Sequence, residues 1–363
     1  MFETISTARF RNLEDSSTDV RKRRIFLVGE NGQGKTNFLD AVYSLCYGTS
    51  FRGASDSEVA KRGEPDWSLS AVSRSEGGDV LSKLTVSFRG GRKAATLDGK
   101  AVPDRKEMIE RNPAVVFCPS DMDFAKGEPE RRRFFLDQTA SLVSPGYLDS
   151  LRSYRKVLKM RNAALKERRH ELLDVLDQQL VEFGLVLRSR RDEILKEFDP
   201  VFSDRYEVVS RLGVRVGLQY RPSWKMENGE SEILRSLLSR REDELALGVT
   251  LSGPHRDRFR FVTKDGEFSG YASTGQLRLL ALTLRIAQAG FCATRTGKMP
   301  ILLLDDVLLE LDPEKRRRFM ERLPSHEQAF FTFLPGEPYE TYADEETMVY
   351  WVSDGRLENK NSR

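Results

Sequence analysis

The amino-acid sequence predicts an α/β fold with an inserted, mainly helical second lobe. Three observations lead to this prediction. A glycine-rich loop separates a short apolar strand from an amphipathic helix near residue 30, a second apolar strand ends in two aspartates near residue 305, and helical periodicity fills much of the chain between them. We expect residues 1–121 and 250–363 to form the α/β head and residues 122–249 to form the inserted lobe with its returning strands.

The glycine-rich loop has the residues of a phosphate-binding loop. GENGQGKT follows the apolar run Ile25 to Val28, and a helix with inward-facing Phe38 and Leu39 follows it, which gives G-x-x-x-x-G-K-T its required context of strand, loop and helix. Glycine N–H groups and the helix N-terminus bind phosphate oxygens, a lysine reaches the β- and γ-phosphates, and a threonine hydroxyl binds magnesium. The loop predicts ATP and Mg²⁺ as ligands of Gly29, Glu30, Asn31, Gly32, Gln33, Gly34, Lys35 and Thr36, with Thr36 on the metal.

The inserted lobe is predicted from two apolar stripes at helical spacing. The first includes Leu151, Tyr154 and Leu158, and the second includes Leu176, Leu180 and Leu187. Residues 122 to about 200 are therefore expected to be helical and to include an antiparallel helix pair. The sequence YEVVSRLGVRVGLQY, residues 206–220, is expected to return as strand.

A helix start at residues 273–276 follows the lobe. Ser273 and Gln276 have the spacing of a capping box, and apolar residues then recur on one helical face, so the simplest interpretation is a well-capped helix.

The second apolar strand, Ile301 to Leu304, ends in Asp305 and Asp306. A buried parallel strand that ends in carboxylates is where an α/β ATPase holds magnesium. We expect Asp305 to hold the metal ion and Asp306 to position or deprotonate the attacking water, so that Lys35, Asp305 and Asp306 are the candidate catalytic residues.

The order of these motifs resembles that of the ABC-type and SMC-like ATPases. In that superfamily the S-x-G-Q helix start caps the γ-phosphate of a nucleotide bound by a second copy. The resemblance implies an ABC/SMC-type P-loop ATPase head, an ATP-dependent homodimer, and contacts from Ser273, Gly275 and Gln276 to the nucleotide of the partner chain.

Several further blocks are similar to the RecF family of bacterial recombination mediators. They are Phe10-Arg11-Asn12, FCPSDMDFAKGEPERRRFFLDQ at residues 117–138, SGPHRDRF at residues 252–259 and LLLDDVLLELD at residues 302–312. This resemblance implies a slow, DNA-stimulated ATPase in which hydrolysis acts as a switch. The implied partners are duplex DNA and single-strand/duplex junctions, RecR and RecO, with RecA loading as the outcome.

The chain departs from the family pattern at a few positions. Arg258 and Leu309 stand where the family often has an aspartate and a serine. No histidine ends the strand in EQAFFTFLP, where transporter ATPases keep a switch histidine. The serine commonly takes part in signalling across the dimer, so Leu309 leaves the coupling between the two sites open. Asp306 stands where transporters carry a glutamate; RecF chains generally share this aspartate, and its shorter side chain suits slow hydrolysis.

The composition and net charge do not show which residues, if any, contact DNA. The chain has 363 residues, and its 59 Lys and Arg nearly balance its 56 Asp and Glu, giving a net charge of +3. Overall charge therefore does not indicate a nucleic-acid binder. Basic clusters occur at residues 21–24, 131–133, 166–169, 188–191 and 315–318. Each is either a solvated helix face with acidic neighbours or part of a DNA-backbone groove.

Other cellular settings and functions are less favoured by the sequence. The N-terminal residues lack the apolar run of a secretion signal, and no apolar run approaches the ~20 residues of a membrane span, so we expect a cytoplasmic protein without a membrane partner. The alternatives are a transport ATPase subunit, disfavoured by the helical lobe and the missing histidine, and a DNA motor, for which helicase motifs are absent.

Overall fold

The computed structural model describes residues 1–74, 81–308 and 311–360. Leu309, and with it the question of coupling between the two sites, lies outside the described residues. The strands are β1 (Phe2–Ala8), β2 (Ser16–Asp19), β3 (Arg24–Val28), β4 (Trp67–Arg74), β5 (Leu81–Arg89), β6 (Arg92–Leu97), β7 (Lys100–Ala101), β8 (Ala114–Phe117), β9 (Gly217–Arg221), β10 (Arg258–Thr263), β11 (Gly266–Glu267), β12 (Ile301–Leu304), β13 (Gln328–Phe333), β14 (Thr347–Ser353) and β15 (Arg356–Asn359). The α-helices are α1 (Lys35–Tyr47), α2 (Arg105–Arg111), α3 (Met122–Lys126), α4 (Pro129–Val143), α5 (Tyr147–Lys166), α6 (His170–Ser210), α7 (Glu230–Ser239), α8 (Arg241–Leu247), α9 (Thr274–Thr296) and α10 (Pro313–Glu321).

The chain divides into two compact units. The first unit contains residues 1–119 and 292–363, and the second contains residues 120–291. The predicted division at residues 121 and 122 is close to the first of these boundaries. Residues 250–291, predicted to belong to the head, pack with the second unit, and their strand β10 pairs with β9 of that unit. Whether they act as part of the ATPase head stays a prediction.

The first unit is built on a sheet with the order β15-β14-β3-β13-β12-β8. The strands from β14 to β8 in this order run parallel, and β3, β8, β12 and β13 are almost wholly buried. Parallel strands end at the same edge of a sheet. The loop after β3 and the aspartates after β12 therefore meet at one edge, with only β13 between their strands.

A second sheet of the first unit is antiparallel, with the order β2-β1-β4-β5-β6-β7. The helix α1 contacts β13 of the parallel sheet and β4 and β5 of the antiparallel sheet. All of its residues from Phe38 to Tyr47 are buried. The helix that starts at the phosphate loop is thus a core element of this unit, which fixes the loop at its N-terminus.

The second unit confirms the predicted antiparallel helix pair. The helices α5 and α6 are joined by residues 167–169 and pack along each other, and Leu151, Tyr154, Leu180 and Leu187 are buried.

The prediction that strand begins at residue 206 is wrong, since α6 continues to Ser210 and β9 begins at Gly217. The helix continues because Phe198, Phe202, Tyr206 and Val209 are all buried, and this is helical spacing that outweighs the strand preference of the β-branched residues.

Buried ion pairs hold the second unit together. Arg161 is fully buried, and its guanidinium donates to Asp177 at 2.5 Å and to Glu244 at 2.6 Å. Arg191 is likewise buried and bridges Asp137 and Asp257, both at 2.7 Å. Loss of one partner would leave a buried charge uncompensated, which is costly. Asp137 and Asp257 lie in the sequence blocks that resemble the RecF family. In this structure both carboxylates form buried ion pairs with Arg191.

The helix α9 is long and apolar enough, by length and composition, to cross a membrane. Of its most apolar 18-residue window, 83% is buried inside the protein. A mostly buried core helix passes the same test, so the feature is weak evidence for a membrane span.

Candidate nucleotide-binding site

The phosphate-binding loop connects β3 to α1 as predicted. Gly32 and Gly34 have φ angles of 80° and 118°, which residues with a Cβ rarely adopt. The Gly29 N–H donates to the carbonyl of Phe333 at 3.1 Å and so fixes the loop to the end of β13. Glu30, Asn31 and Gly32 are exposed at the tip of the loop. The loop backbone therefore has the conformation that its glycines allow, with its tip open to a ligand.

Two segments that are distant in the sequence form hydrogen bonds with the loop. The side-chain oxygen of Gln33 accepts a hydrogen bond from the Asp354 N–H at 2.7 Å, and its carbonyl accepts one from the Gly355 N–H at 2.8 Å. The Asn12 side chain donates to the carbonyl of Gly32 at 3.2 Å. Gln33, predicted as a nucleotide contact, thus directs its side chain to the turn between β14 and β15. Neither this turn nor Asn12 was identified as part of the site from the sequence.

Lys35 lies over the loop and is only 4% exposed. Its ammonium donates to the carbonyls of Gly29 at 2.6 Å and Glu30 at 2.9 Å. Burial lowers the pKa of this amine, while the nearby carboxylates of Asp306 and Asp305 act in the opposite direction. The lysine charge is therefore held at the loop, where it can bind a phosphate oxygen.

Thr36 and Asp305 are brought together across the sheet edge. The Thr36 hydroxyl donates to the Asp305 carboxylate at 2.7 Å. Asp305 is 7% exposed, and burial raises its pKa to about 6, with a further contribution from the like charge of Asp306. A hydroxyl and a carboxylate are the hard oxygen ligands that magnesium takes from a protein when phosphates and water complete its shell. The predicted metal residues therefore fit a magnesium ion.

Asp306 follows Asp305 in a left-handed backbone conformation with φ 52°. Its N–H donates to the hydroxyl of Thr332 at 2.8 Å, and the same hydroxyl donates to its carboxylate at 2.9 Å. Thr332 lies in β13, and all six residues of that strand are buried. Thr332 was not predicted as part of the site; its only signal in the sequence is a hydroxyl within an otherwise apolar run of Phe residues.

A second missed contact supports α1. Asp40 is fully buried, accepts a hydrogen bond from Arg11 at 2.8 Å, and accepts others from the Ser50 hydroxyl and the Phe51 N–H. Arg11 has a φ of 54°, so it turns sharply to reach this carboxylate. The Phe10-Arg11-Asn12 block, noted for its family resemblance, therefore supports both the phosphate loop and the helix that follows it.

The remaining predicted ligands, Ser273, Gly275 and Gln276, belong to the second unit. The Ser273 N–H donates to the Gln276 side-chain oxygen at 2.7 Å, and the Gln276 N–H lies 3.3 Å from the Ser273 hydroxyl. This reciprocal pair confirms the predicted capping box. Ser273 and Gly275 are exposed, and a Cβ on Gly275 would have no atom within 4 Å. The N-terminus of α9 is thus capped and exposed.

Basic residues of the clusters make hydrogen bonds or ion pairs within the protein, as two of the five clusters illustrate. In residues 131–133, Arg132 donates to the carbonyls of Phe259 and Ala125, and Arg133 donates to the carbonyl of Asp257. The cluster on α10 is bonded to its acidic neighbours, with Arg317 bridging Glu314 and Glu321. The cluster on α10 therefore fits a helix face with acidic neighbours, whereas Arg132 and Arg133 are bonded to backbone carbonyls of their own unit.

Comparison with known proteins gives a consistent assignment. The RecF/RecN/SMC N-terminal domain family matches residues 1–355. The DNA replication and repair protein RecF of Treponema pallidum (strain Nichols) is 42% identical over 97% of this chain and 99% of its own length, and that of Desulforudis audaxviator (strain MP104C) is 34% identical over 90% and 92%.

Solved structures agree with these relatives. A structure of the recombination mediator protein RecF with ATP, from the RecFOR pathway, superposes with a TM-score of 0.89 at 26% identity and covers 99% of this chain and 97% of its own. An SMC head bound to the C-terminal winged-helix domain of ScpA matches with a TM-score of 0.59 at 16% identity, which shows the fold. The predicted ABC/SMC-type α/β head with helical content is confirmed, and the chain belongs to the RecF family of DNA replication and repair proteins.

Proposed function

We propose that this chain is an ATP-dependent, DNA-binding recombination mediator, in which an ATP-bound dimer clamps duplex DNA beside single-stranded gaps and promotes RecA loading. The observation that carries the proposal is the meeting of Lys35, Thr36, Asp305 and Asp306 at one sheet edge behind a glycine-rich loop. The relative of known structure that superposes at a TM-score of 0.89 was solved with ATP, which supports ATP as the ligand of this site.

Each residue of the site has a distinct proposed role. The loop N–H groups and Lys35 bind the phosphates, and Thr36 and Asp305 hold Mg²⁺. Bound magnesium ATP supplies the phosphoanhydride bond that is cleaved and a positive charge beside it. Asp306 orients a water molecule and accepts its proton. An aspartate is one methylene shorter than a glutamate, so the carboxylate reaches less far, which supports slow hydrolysis that acts as a switch.

Dimer formation is proposed to complete the site. The start of α9 carries Ser273, Gly275 and Gln276 in a formed cap, and Ser273 and Gly275 are exposed. A helix N-terminus attracts anions, and a γ-phosphate held by a second copy is the anion proposed here. Because both copies offer the same two surfaces, the interface is a two-fold one. ATP then favours the dimer more than ADP does.

DNA, RecO and RecR are the proposed partners, and the cytoplasm is the proposed location. The solved RecF structure with ATP is of a mediator in the RecFOR pathway, which supports this set of partners. DNA contact is proposed for exposed arginines and lysines that are not buried in ion pairs, such as Lys156 and Lys159 on α5. Phosphate contacts of this kind make binding salt-dependent.

One experiment tests the whole proposal. The oligomeric state of the protein is measured by sedimentation with ATP or ADP, on gapped duplex DNA and on blunt duplex DNA, and ATP turnover is measured in the same samples. We expect an ATP-dependent dimer that prefers gapped DNA and hydrolyses ATP slowly, faster with DNA than without it. Rapid turnover without DNA, or a monomer that translocates along DNA, would contradict the proposal.

A further inference from the structure

The second aspartate of the site is held by a threonine on the neighbouring strand. We propose that Thr332 is a positioning residue for ATP hydrolysis, whose hydroxyl sets the direction of the Asp306 carboxylate. The inference rests on the proposed role of Asp306 toward the attacking water. It goes further by assigning the control of that role to a side chain whose hydroxyl, among the described residues, contacts Asp306 and the Leu304 carbonyl.

The two hydrogen bonds between these residues are reciprocal. The hydroxyl oxygen of Thr332 accepts from the Asp306 N–H at 2.8 Å, and the hydroxyl lies 2.9 Å from the Asp306 Oδ1 and 3.5 Å from the Leu304 carbonyl oxygen. A threonine hydroxyl has one proton, and the shorter distance and the negative charge of the carboxylate favour donation to Asp306. Among the described residues Oδ2 of Asp306 has no hydrogen-bond partner, and it is therefore the oxygen left for a water molecule.

The backbone conformation of Asp306 needs a stabilising contact. Its φ of 52° lies in the left-handed region, where residues other than glycine are disfavoured. Such a conformation persists only when the surroundings enforce it, and it is concentrated at functional sites. The bond from the Asp306 N–H to Thr332 is one such constraint, and it acts on the same residue whose carboxylate the hydroxyl orients.

The sheet fixes Thr332 itself. β13 lies between β3 and β12, with Thr332 opposite Leu27 and Phe331 opposite Leu304. Thr332 is 3% exposed, and its β-branched side chain has little rotational freedom. The carboxylate direction is thus set by a strand of the core rather than by the loop that carries Asp306, which is the arrangement that keeps a catalytic group within a narrow range of positions.

Substitutions of Thr332 test whether its hydroxyl positions the Asp306 carboxylate or only stabilises the fold. Thr332→Val keeps the shape and removes both hydrogen bonds, whereas Thr332→Ser keeps the hydroxyl. We expect Thr332→Val to lower kcat roughly 10- to 100-fold, the range for a misplaced catalytic group, while ATP affinity and the ATP-dependent dimer change less than about 2-fold. Thr332→Ser is expected to retain most of the activity. Thr7→Val, which removes a buried hydroxyl bonded to the Glu14 carbonyl, is the matched control and should leave kcat unchanged.

A double substitution shows whether Thr332 acts through Asp306. In Asp306→Asn, kcat is already low, and adding Thr332→Val should lower it no further, because the group being oriented is gone. Independent, multiplicative losses in the double variant, or full activity of Thr332→Val, would overturn the inference. If Asp306→Asn alone hydrolyses ATP at the normal rate, the proposed role of Asp306 fails instead, so the two failures are distinguishable.

Discussion

Gly29 lies directly against the backbone of Val352, since a Cβ atom built on Gly29 would be 2.3 Å from the Val352 carbonyl oxygen. This contact joins the first residue of the phosphate loop to β14, a strand more than 300 positions away in the chain. The loop and β14 are therefore in backbone contact, and the first glycine of the motif is required for this packing.

Gly29→Ala should accordingly displace β14 or the loop and weaken ATP binding at least 10-fold, together with a lower melting temperature. Overpacking of this kind costs about 1–3 kcal/mol. Titration with a fluorescent ATP analogue and a thermal melt measure both effects. Gly336→Ala is the control, because a Cβ there meets no atom within 4 Å and the residue has no positive φ. Equal behaviour of the two variants would show that the contact with Val352 is not constraining.

Lys35→Ala should weaken ATP binding roughly 10- to 100-fold, since hydrogen bonds to a charged group contribute about 1.5–3 kcal/mol. Loss of the ATP-dependent dimer and of DNA binding should follow. Calorimetric titration and sedimentation check this, with Lys100→Ala on the exposed strand β7 as the control. An ATP-bound dimer of normal stability would exclude Lys35 as the phosphate ligand.

Asp305→Asn should make the nucleotide-free protein more stable above pH 6. Burial raises the pKa of Asp305 from 3.8 to about 6, so the folded protein retains a proton that the unfolded chain releases near pH 4. The free energy of unfolding therefore falls as pH rises from about 4 to 6, by about 3 kcal/mol at most, and stays lower above pH 6.

The asparagine of Asp305→Asn can still accept the Thr36 hydrogen bond, but it has no negative charge whose burial would destabilise the fold. It should bind Mg²⁺ poorly. Thermal melts of both proteins from pH 4 to 8 measure the difference. Asp243→Asn, an exposed carboxylate on α8, controls for the general loss of charge. A wild type that gains stability relative to Asp305→Asn as pH rises through this window would contradict the assigned direction.

Ser273→Arg should leave ATP binding by the monomer intact and prevent dimer formation. The loop from Gly29 to Thr36 is untouched, whereas the helix start loses its cap, at a cost of about 1 kcal/mol, and gains a bulky side chain at the proposed interface. Ser239→Arg adds the same charge at an exposed position of α7 and should dimerise normally.

Mixing Ser273→Arg with Lys35→Ala should give a mixed dimer in which at most one of the two composite sites is intact. That site pairs the intact phosphate loop of the Ser273 variant with the intact helix start of the Lys35 variant. Sedimentation of the mixture with ATP should therefore show dimers that neither variant forms alone. Weakened nucleotide binding by monomeric Ser273→Arg, with dimers still forming, would show that this helix start does not act on the partner chain.

The sequence is informative where short-range pattern decides the structure. β12 begins and ends at Ile301 and Leu304 as predicted, and the Ser273–Gln276 cap forms as predicted, because an apolar run and a capping box are local signals. Thr332, Asn12 and the turn at Asp354 could not be identified in this way. Gln33 and Asp354 are 321 positions apart, and no local pattern indicates which strands a sheet will place side by side.

The position of β3 has a consequence for the order of folding. Its two neighbours in the sheet are β13 and β14, which contain residues 328–333 and 347–353. The phosphate loop is synthesised early, but β3, the strand before it, can pair with its neighbours only after most of the remaining chain has been made. Pairing over such sequence separations is slow, because the entropy of loop closure is lost before the contacts form. The nascent chain therefore acquires its nucleotide site as one of its last steps, and premature termination before residue 328 leaves a complete GENGQGKT sequence without the sheet that makes it a binding site.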